Sequence, residues 1–419
     1  METSRPNPNP NAWPPFSIAR LPAIRFGAGR SAELAEIVRG FGSRALVVTR
    51  GPGFTDGPAW AHLGAGLRQA GVEVETVGVS GEPSPSFVDE IVARVRAGAP
   101  VDVVIGIGGG SVLDTAKAVA GLLIPGNSVT DHLEGIGPEL PYRGPAVPFV
   151  AVPTTAGTGS EATKNAVLSV RGPGGFKKSF RDDALVARVA IVDPDLLAEC
   201  PPQLIAANGM DALTQLLESY VSARANPFTD ALALSGLAAT RDGLLSWFGE
   251  ATAGRGGTGR GSPAAMARER MAYAALCSGI CLAQAGLGAV HGLASPLGAL
   301  FPVPHGVACG ATLAAATRVN VAALEERAPE SVALPKYAAA ARVLSDASAS
   351  LSNDRAARSA LVRLLEDWRV RLAVPRLSAY GVAETGIPAI VADSRGSSMR
   401  TNPIVLTDTE IAAILRASL

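Results

Sequence analysis

The order of apolar segments along the chain constrains the fold more than any other feature. Up to Asp193, short runs rich in β-branched residues alternate with helical patterns of roughly 10 to 15 residues. This alternation is typical of βαβ units, so we predict a mainly parallel sheet covered by helices. From Pro201 onward the apolar residues recur at helical spacing, and strand-like runs become rare. The pattern therefore predicts an α/β domain followed by an all-helical domain.

The length of 419 residues also favours two domains, because single cores stop growing near roughly 250 to 300 residues. We predict a disordered N-terminal arm over residues 1–17, an α/β domain over 18–197 and a helical domain over 198–419. The arm is rich in Pro and Asn and lacks the basic and apolar regions of a secretory signal, so we expect a cytoplasmic protein. A Gly-rich connector is predicted over residues 253–265.

Composition excludes several classes of partner. Lys+Arg and Asp+Glu both number 37, so the chain lacks the basic excess that nucleic-acid binding requires. Although 47% of the residues are hydrophobic, uninterrupted apolar runs fall short of the roughly 20 residues that cross a bilayer. The four cysteines show no spacing typical of a disulfide framework. We expect neither a nucleic-acid nor a membrane partner.

A Gly-rich loop, GIGGGS, follows the predicted strand VDVVI and precedes a predicted helix. Glycines let the backbone approach an anion closely, and the N–H groups of the following helix hold it. We predict that this loop binds the pyrophosphate of a dinucleotide through Gly108, Gly109, Gly110 and Ser111. The loop differs from G-x-G-x-x-G because its sixth position is Ser111, and a purely structural turn is the alternative.

A second loop, PTTAGTGSE, also follows an apolar run, and its small side chains suit a nucleotide cleft lined by Thr154, Thr155 and Thr158. A plain Ser/Thr turn is the alternative interpretation. Arg50 ends the predicted strand ALVVT. At that place in a dinucleotide fold an acidic residue binds the adenosine ribose, whereas an arginine favours a 2′-phosphate, which indicates NADP(H). A solvated surface charge would explain Arg50 equally well.

Two of the four histidines, His291 and His305, flank an apolar run that ends in the turn Pro302-Val303-Pro304. The turn places His305 on a new segment, which would let it fold back beside His291. Neutral imidazoles are common metal ligands, although core histidines with hydrogen-bond partners give the same pattern. Upstream, Asp211 and Gln215 are four residues apart on a predicted helix and share a polar face. Such a face is usually solvated.

Four motifs, in their order and spacing, resemble the iron-dependent (group III) alcohol dehydrogenases from about Arg20 to the C-terminus: GGGSVLDTAKA, PTTAGTGSEAT, GMDALTQ and GLGAVHGLASPLGALFPVPHG. The resemblance implies a dinucleotide-binding α/β domain, a helical domain and an active site in the cleft between them. It also implies a metal-dependent oxidoreductase that transfers hydride between NAD(P)(H) and a small alcohol or aldehyde. A homodimer is common in the family.

In the family, an aspartate and three histidines hold a divalent metal, usually iron and sometimes zinc. The resemblance maps these ligands onto Asp211, Gln215, His291 and His305, with Gln215 replacing a histidine. It further implies catalytic or cofactor roles for the following residues: Ser295, which replaces another family histidine, Lys177 near the nicotinamide ribose, and Asp114 in the first motif.

Two alternatives remain at the level of sequence. Dehydroquinate synthase-like lyases share the two-domain plan, but they need a pocket rich in Lys, Arg and Asn, which residues 201–310 do not supply. A non-catalytic dinucleotide-binding protein with a degenerate metal site is favoured by the replacements at Gln215 and Ser295.

Overall fold

The computed structural model describes residues 15–172, 174–255, 259–345 and 351–419. Most of the predicted N-terminal arm, residues 1–14, lies outside the described residues, as does part of the predicted Gly-rich connector, residues 256–258. Residues 15–17 are exposed and have no regular secondary structure.

The strands of the described residues all lie before Asp193. Their bounds are β1 Ala23–Phe26, β2 Arg44–Thr49, β3 Glu73–Gly78, β4 Val103–Gly108, β5 Phe149–Pro153, β6 Asn165–Val170, β7 Phe176–Arg181 and β8 Val189–Val192. Six of them form one sheet in the order β1-β8-β5-β4-β2-β3, and every pairing in it is parallel. Strands β4 and β5 are buried along their whole length, as expected for a sheet covered on both faces. Strands β6 and β7 form a separate antiparallel hairpin.

Helices cover both faces of the parallel sheet. Their bounds are α1 Leu34–Arg39, α2 Pro52–Thr55, α3 Pro58–Gln69, α4 Pro85–Arg96 and α5 Gly110–Leu122. Side chains of α1 and α3, such as Leu34 and Leu67, pack in one apolar cluster with Val47 of β2. Side chains of α4 and α5, such as Ile91 and Leu113, pack in another. The predicted α/β class is confirmed.

The strand order places a switch point between β2 and β4, because the chain runs outward from β2 to β3 and then returns to the other side of β2. Ligands of open parallel sheets bind at the carboxyl ends of strands at such a point. Arg50 follows β2, Gly109 follows β4 and Thr154 follows β5. The sheet therefore brings the two predicted loops and Arg50 to one edge.

From Pro202 onward the described residues contain helices and no strand. The bounds are α6 Pro202–Val221, α7 Pro227–Thr252, α8 Pro263–Ala285, α9 Ala289–Leu300, α10 His305–Arg327, α11 Ala333–Leu344, α12 Asp354–Arg371, α13 Ile387–Asp393 and α14 Asp408–Ser418. Their apolar side chains form one cluster that extends from Ile205 to Leu415. The predicted all-helical region is confirmed.

By its length and mean hydropathy, helix α10 could cross a membrane. Its apolar residues are interrupted by polar ones, so the helix does not contain the uninterrupted apolar run by which a membrane span is predicted from sequence. However, 78% of its most apolar window is buried inside the protein, as in the central helix of a core. The packing of α10 therefore accounts for its composition.

Candidate metal centre and cofactor cleft

Helix α6 supplies the first side chains of the candidate centre. Asp211 and Gln215 lie one turn apart, and Glu218 follows on the same side of the helix. All three are buried, because α7, α8 and α10 pack around α6. The general expectation of a solvated polar face is wrong for this helix. A carboxylate taken out of water requires hydrogen-bond or cationic partners, and these come from other helices.

Helix α9 supplies His291 with a fixed orientation. Its Nδ1 lies 2.7 Å from Glu218 Oε2, and the backbone N–H of Val290 donates to Glu218 Oε1 at 2.6 Å. A carboxylate accepts only, so Nδ1 carries the proton and Nε2 of the neutral ring is an acceptor. That Nε2 lies 3.2 Å from Asp211 Oδ1. Two acceptors so close together need a proton or a metal ion between them.

His305 is the first residue of α10, because the Pro302–Pro304 turn ends the preceding segment. Its ring centroid lies 5.3 Å from that of His291, and its Nε2 lies 3.7 Å from Asp211 Oδ1. The other ring nitrogen, Nδ1, is buried without a hydrogen-bond partner among the described residues. The expected return of His305 beside His291 is what the structure shows.

Cys309 completes the cluster one turn further along α10. Its Sγ lies 3.5 Å from Asp211 Oδ1 and 3.8 Å from His291 Nε2. One potential ligand atom from each of Asp211, His291, His305 and Cys309 lies within 4.8 Å of the other three. The donor set of one carboxylate, two imidazoles and one thiol suits a divalent transition metal.

The candidate centre opens onto a cleft of about 1690 Å³. His291, Ser295 and His305 line it on the helical side. The sequence-predicted cofactor residues line the same cleft on the sheet side: Arg50, Gly108, Gly109, Gly110, Ser111, Asp114, Thr154, Thr155, Thr158 and Lys177. The structure therefore brings both predicted sets of residues together.

Sequence models of two regions of a known family match almost the whole chain. The model of the iron-containing alcohol dehydrogenases matches residues 22–194. The model of the C-terminal region of the Fe-containing alcohol dehydrogenase family matches residues 205–419. The chain belongs to the iron-containing alcohol dehydrogenase family.

Individual relatives agree with this assignment. The NAD-dependent methanol dehydrogenase of Bacillus methanolicus is 30% identical over 407 residues, which cover 95% of this chain and 98% of the relative. The long-chain-alcohol dehydrogenase 1 of Geobacillus thermodenitrificans is 36% identical over 296 residues, which cover 70% of this chain and 71% of the relative. The crystal structure of a 1,3-propanediol oxidoreductase superposes with a TM-score of 0.85 at 30% identity, covering 97% of this chain and all of the other. The chain is thus an oxidoreductase of the iron-containing alcohol dehydrogenase type.

In this alcohol dehydrogenase, the Gly-rich loop serves packing as well as access to the cleft. A Cβ on Gly108 would lie 2.6 Å from the Val112 side chain, and one on Gly110 would lie 2.7 Å from that of Thr158. Helix α5 begins at Gly110 without a side-chain cap at Gly109. Gly110 and Ser111, at the start of this helix, line the cleft, so their N–H groups are candidates for binding an anion.

Asp114 has a supporting role in the enzyme. Ser160 Oγ donates to its Oδ1 at 2.5 Å, and the backbone N–H of Val167 donates to its Oδ2 at 3.1 Å. The Lys117 ammonium, fully buried, lies 3.8 Å away. Burial raises the pKa of Asp114 despite these partners. The carboxyl thus joins α5 to the loop of residues 153–161, which the sequence assigned to the cofactor.

Lys177 lines the cleft and has a partner that the sequence did not reveal. Its ammonium forms an ion pair with Glu82 Oε1 at 2.6 Å, and Ser169 Oγ donates to Glu82 Oε2 at 2.8 Å. Burial acts to raise the pKa of Glu82, but Lys177 outweighs it and the net shift is downward. The partner of Lys177 comes from a loop 95 residues away, so no local pattern indicates it.

Gln215 faces the centre through its nitrogen in this enzyme. Its Nε2 donates to Asp211 Oδ1 at 3.3 Å, and its Oε1 accepts from Ser278 Oγ at 2.7 Å. The oxygen that a metal would need is thus directed toward α8. Ser295 lies one turn after His291, is half-buried and lines the cleft. Its predicted catalytic role stays a prediction.

The protonation states of the centre follow from its enclosure. Enclosure in the cleft, reinforced by the positive charge of Lys177, lowers the pKa of His305 to about 4. Burial acts to lower the pKa of His291, but Cys309, Asp211 and Glu218 outweigh it and raise that pKa above its usual value. Burial acts to raise the pKa of Asp211, but His305 and His291 outweigh it and lower that pKa. His305 is neutral at neutral pH, as a ligand must be, whereas His291 must release a proton when a metal binds.

Two residues of the centre were missed by the sequence analysis. Glu218 was given no role, although its position seven residues after Asp211 places it two turns along the same helix face. Cys309 was given no role, although it lies four residues after His305, the spacing at which two ligands share one side of a helix. All four cysteines are free thiols, and the other three lie outside the cluster.

Proposed function

We propose that this enzyme is a metal-dependent alcohol dehydrogenase or aldehyde reductase of small substrates, with a preference for NADP(H). The observation that carries the proposal is that Asp211 lies against His291 and His305, which line the same cleft as the Gly-rich loop. A carboxylate and two imidazoles from three helices suit a metal, and the uncapped start of α5 suits a pyrophosphate. The relatives are named for oxidation of methanol, long-chain alcohols or 1,3-propanediol, which supports an alcohol or aldehyde substrate.

The residues of the cleft have distinct tasks in this reaction. Asp211, His291 and His305 would hold a divalent metal, which would supply Lewis-acid polarisation of the substrate oxygen, and a nicotinamide in the cleft would supply the hydride. Glu218 holds the His291 ring so that Nε2 faces the centre. The Ser295 side chain lines the cleft one turn from His291, which supports a role in relaying the proton that the product oxygen takes up on reduction. Lys177, fixed by Glu82, is close enough to act electrostatically on His305.

The preference for NADP(H) is inferred from Arg50. It follows β2 at the switch point of the sheet, lines the cleft and is exposed, with Nη2 donating to the carbonyl of Gly53 at 3.1 Å. A guanidinium binds a phosphate through two parallel hydrogen bonds, which suits the 2′-phosphate of NADP(H).

A panel assay tests the proposal. The purified enzyme is freed of metal with a chelator, and reduction of short aldehydes by NADPH or NADH is followed with and without added Fe²⁺ or Zn²⁺. We expect metal-dependent turnover with a higher kcat/KM for NADPH. No turnover with any aldehyde, in the presence of bound dinucleotide, would favour the non-catalytic alternative, and full turnover without metal would contradict the assigned role of the centre.

A further inference from the structure

The thiol of Cys309 lies directly against the other side chains of the metal centre. We propose that the Cys309 thiolate is the fourth protein ligand in place of Gln215, and that the resulting set binds zinc in preference to iron. This inference rests on the proposed function, because it specifies the ligands and the metal of the same site.

The position of Cys309 is set by helix α10. Residues four apart lie on one side of a helix, so the side chains of His305 and Cys309 project in the same direction. Cys309 is fully buried, and its thiol contacts polar atoms of two members of the centre, Asp211 and His291. Cys277 and Cys281 are buried on α8 instead, where Cys281 Sγ faces the carbonyl of Thr229. Only Cys309, among the described cysteines, joins the cluster.

Four of the six distances between the donor atoms are close to the edges of a zinc tetrahedron. Zinc bonds of about 2.0 Å to nitrogen or oxygen and about 2.3 Å to sulfur give donor-to-donor edges of about 3.3 to 3.6 Å. The edges from Asp211 Oδ1 are 3.2 Å to His291 Nε2, 3.7 Å to His305 Nε2 and 3.5 Å to Cys309 Sγ. The edge from Cys309 Sγ to His291 Nε2 is 3.8 Å. These four separations agree with the tetrahedral values to a few tenths of an ångström.

Gln215 is the poorer candidate because of its hydrogen bonds. Asp211 Oδ1 accepts only, so it selects the Nε2 end of the amide, and Ser278 Oγ holds the Oε1 end at 2.7 Å. Turning the amide to present Oε1 to the centre would give up the hydrogen bond that Oε1 accepts from Ser278 Oγ. We assign Gln215 to the positioning of Asp211.

Charge and softness both favour the thiolate. Two anionic ligands, Asp211 and Cys309, neutralise a divalent ion within its ligand shell, whereas Gln215 in place of Cys309 would leave that shell with one positive charge. A thiolate is a soft donor that favours zinc, while oxygen and nitrogen donors alone discriminate less. Because catalytic zinc can expand to five donors during a reaction, a fourth protein ligand still permits a substrate oxygen to bind.

Cobalt substitution tests the ligand assignment without measuring activity. The metal-free enzyme is reconstituted with Co²⁺, and the near-ultraviolet spectrum is recorded for the thiolate-to-cobalt charge-transfer band. We expect the band in the unaltered enzyme and in the matched control Cys277→Ala, and its loss in Cys309→Ser. Zinc affinity, measured by competition with a chromophoric chelator, should fall by about tenfold or more in Cys309→Ser. Gln215→Ala should keep the band and lose less affinity.

Three outcomes would overturn the proposal. These are a cobalt complex of the unaltered enzyme without the band, a band that persists in Cys309→Ser, and a loss of zinc affinity in Gln215→Ala larger than that in Cys309→Ser. Serine is nearly isosteric with cysteine, so Cys309→Ser should preserve the packing, and circular dichroism would verify that the variant folds. If aldehydes are turned over by an enzyme whose cobalt complex lacks the band, only this inference fails. If metal is bound through sulfur without turnover of any aldehyde, the proposed function fails instead.

Discussion

Replacing Glu218 with Gln should weaken both metal binding and the fold. The carboxylate accepts two short hydrogen bonds, from Val290 N–H at 2.6 Å and His291 Nδ1–H at 2.7 Å. An amide has one oxygen, so one donor would face an NH₂ group inside a buried site. Loss of one charge-assisted bond and burial of one unpaired donor should cost about 2 to 4 kcal/mol of unfolding free energy. The imidazole would also lose its fixed orientation, which typically lowers metal affinity by about 10- to 100-fold.

Two measurements check this prediction. Zinc affinity is measured by chelator competition, and the free energy of unfolding of the metal-free protein is measured in urea. The control is Glu326→Gln, which removes an exposed carboxylate from α10 and should change neither quantity. A Glu218→Gln variant with unaltered zinc affinity would refute the role of Glu218 in orienting His291, even if its stability fell.

Three further predictions concern the cofactor, the loops and pH. Arg50→Asp should lower kcat/KM for NADPH relative to NADH by about tenfold or more, because it removes a charge-assisted contact worth about 1.5 to 3 kcal/mol. An unchanged ratio in steady-state kinetics would contradict the assignment of Arg50 to the 2′-phosphate. Gly159→Ala should lower the free energy of unfolding in urea by about 2 to 5 kcal/mol, because φ is +61° and the new Cβ would lie 2.4 Å from Gly279 Cα. The control Gly381→Ala has a φ of +81° but open space around the new Cβ, so it should lower the free energy of unfolding by only about 1 to 2 kcal/mol. Burial raises the pKa of Glu161 from 4.5 to about 7, so between these pH values the folded state retains a proton that the unfolded chain releases. The free energy of unfolding should therefore fall by about 3 kcal/mol as the pH rises from about 4.5 to about 7. Urea unfolding as a function of pH should show this slope in the unaltered enzyme and lose it in Glu161→Gln.

Local patterns were sufficient to predict the framework of the enzyme. The β-branched runs of β4 and β5 are buried on both faces, so their composition directly reports their environment. The Pro302–Pro304 turn interrupts the chain between two helices because proline lacks the N–H group that a continuing helix needs. This turn is what allows His305 to lie beside His291.

The environment of the site residues was harder to predict, because helical spacing shows which residues share a face but not what covers it. The polar face of α6 resembles a solvated one, yet three neighbouring helices bury it and turn Glu218 into the support of His291. The orientation of the Gln215 amide depends on Ser278, which lies 63 residues later. The ion pair of Lys177 with Glu82 likewise joins residues that only the tertiary fold brings together.

The most direct test of the central claim is anomalous scattering from a crystal of the enzyme, recorded at the zinc and iron edges. The account predicts one strong peak per chain within bonding distance of Asp211 Oδ1, His291 Nε2 and His305 Nε2. A metal-replete crystal without a peak at that point, or with the three side chains directed to separate places, would contradict it.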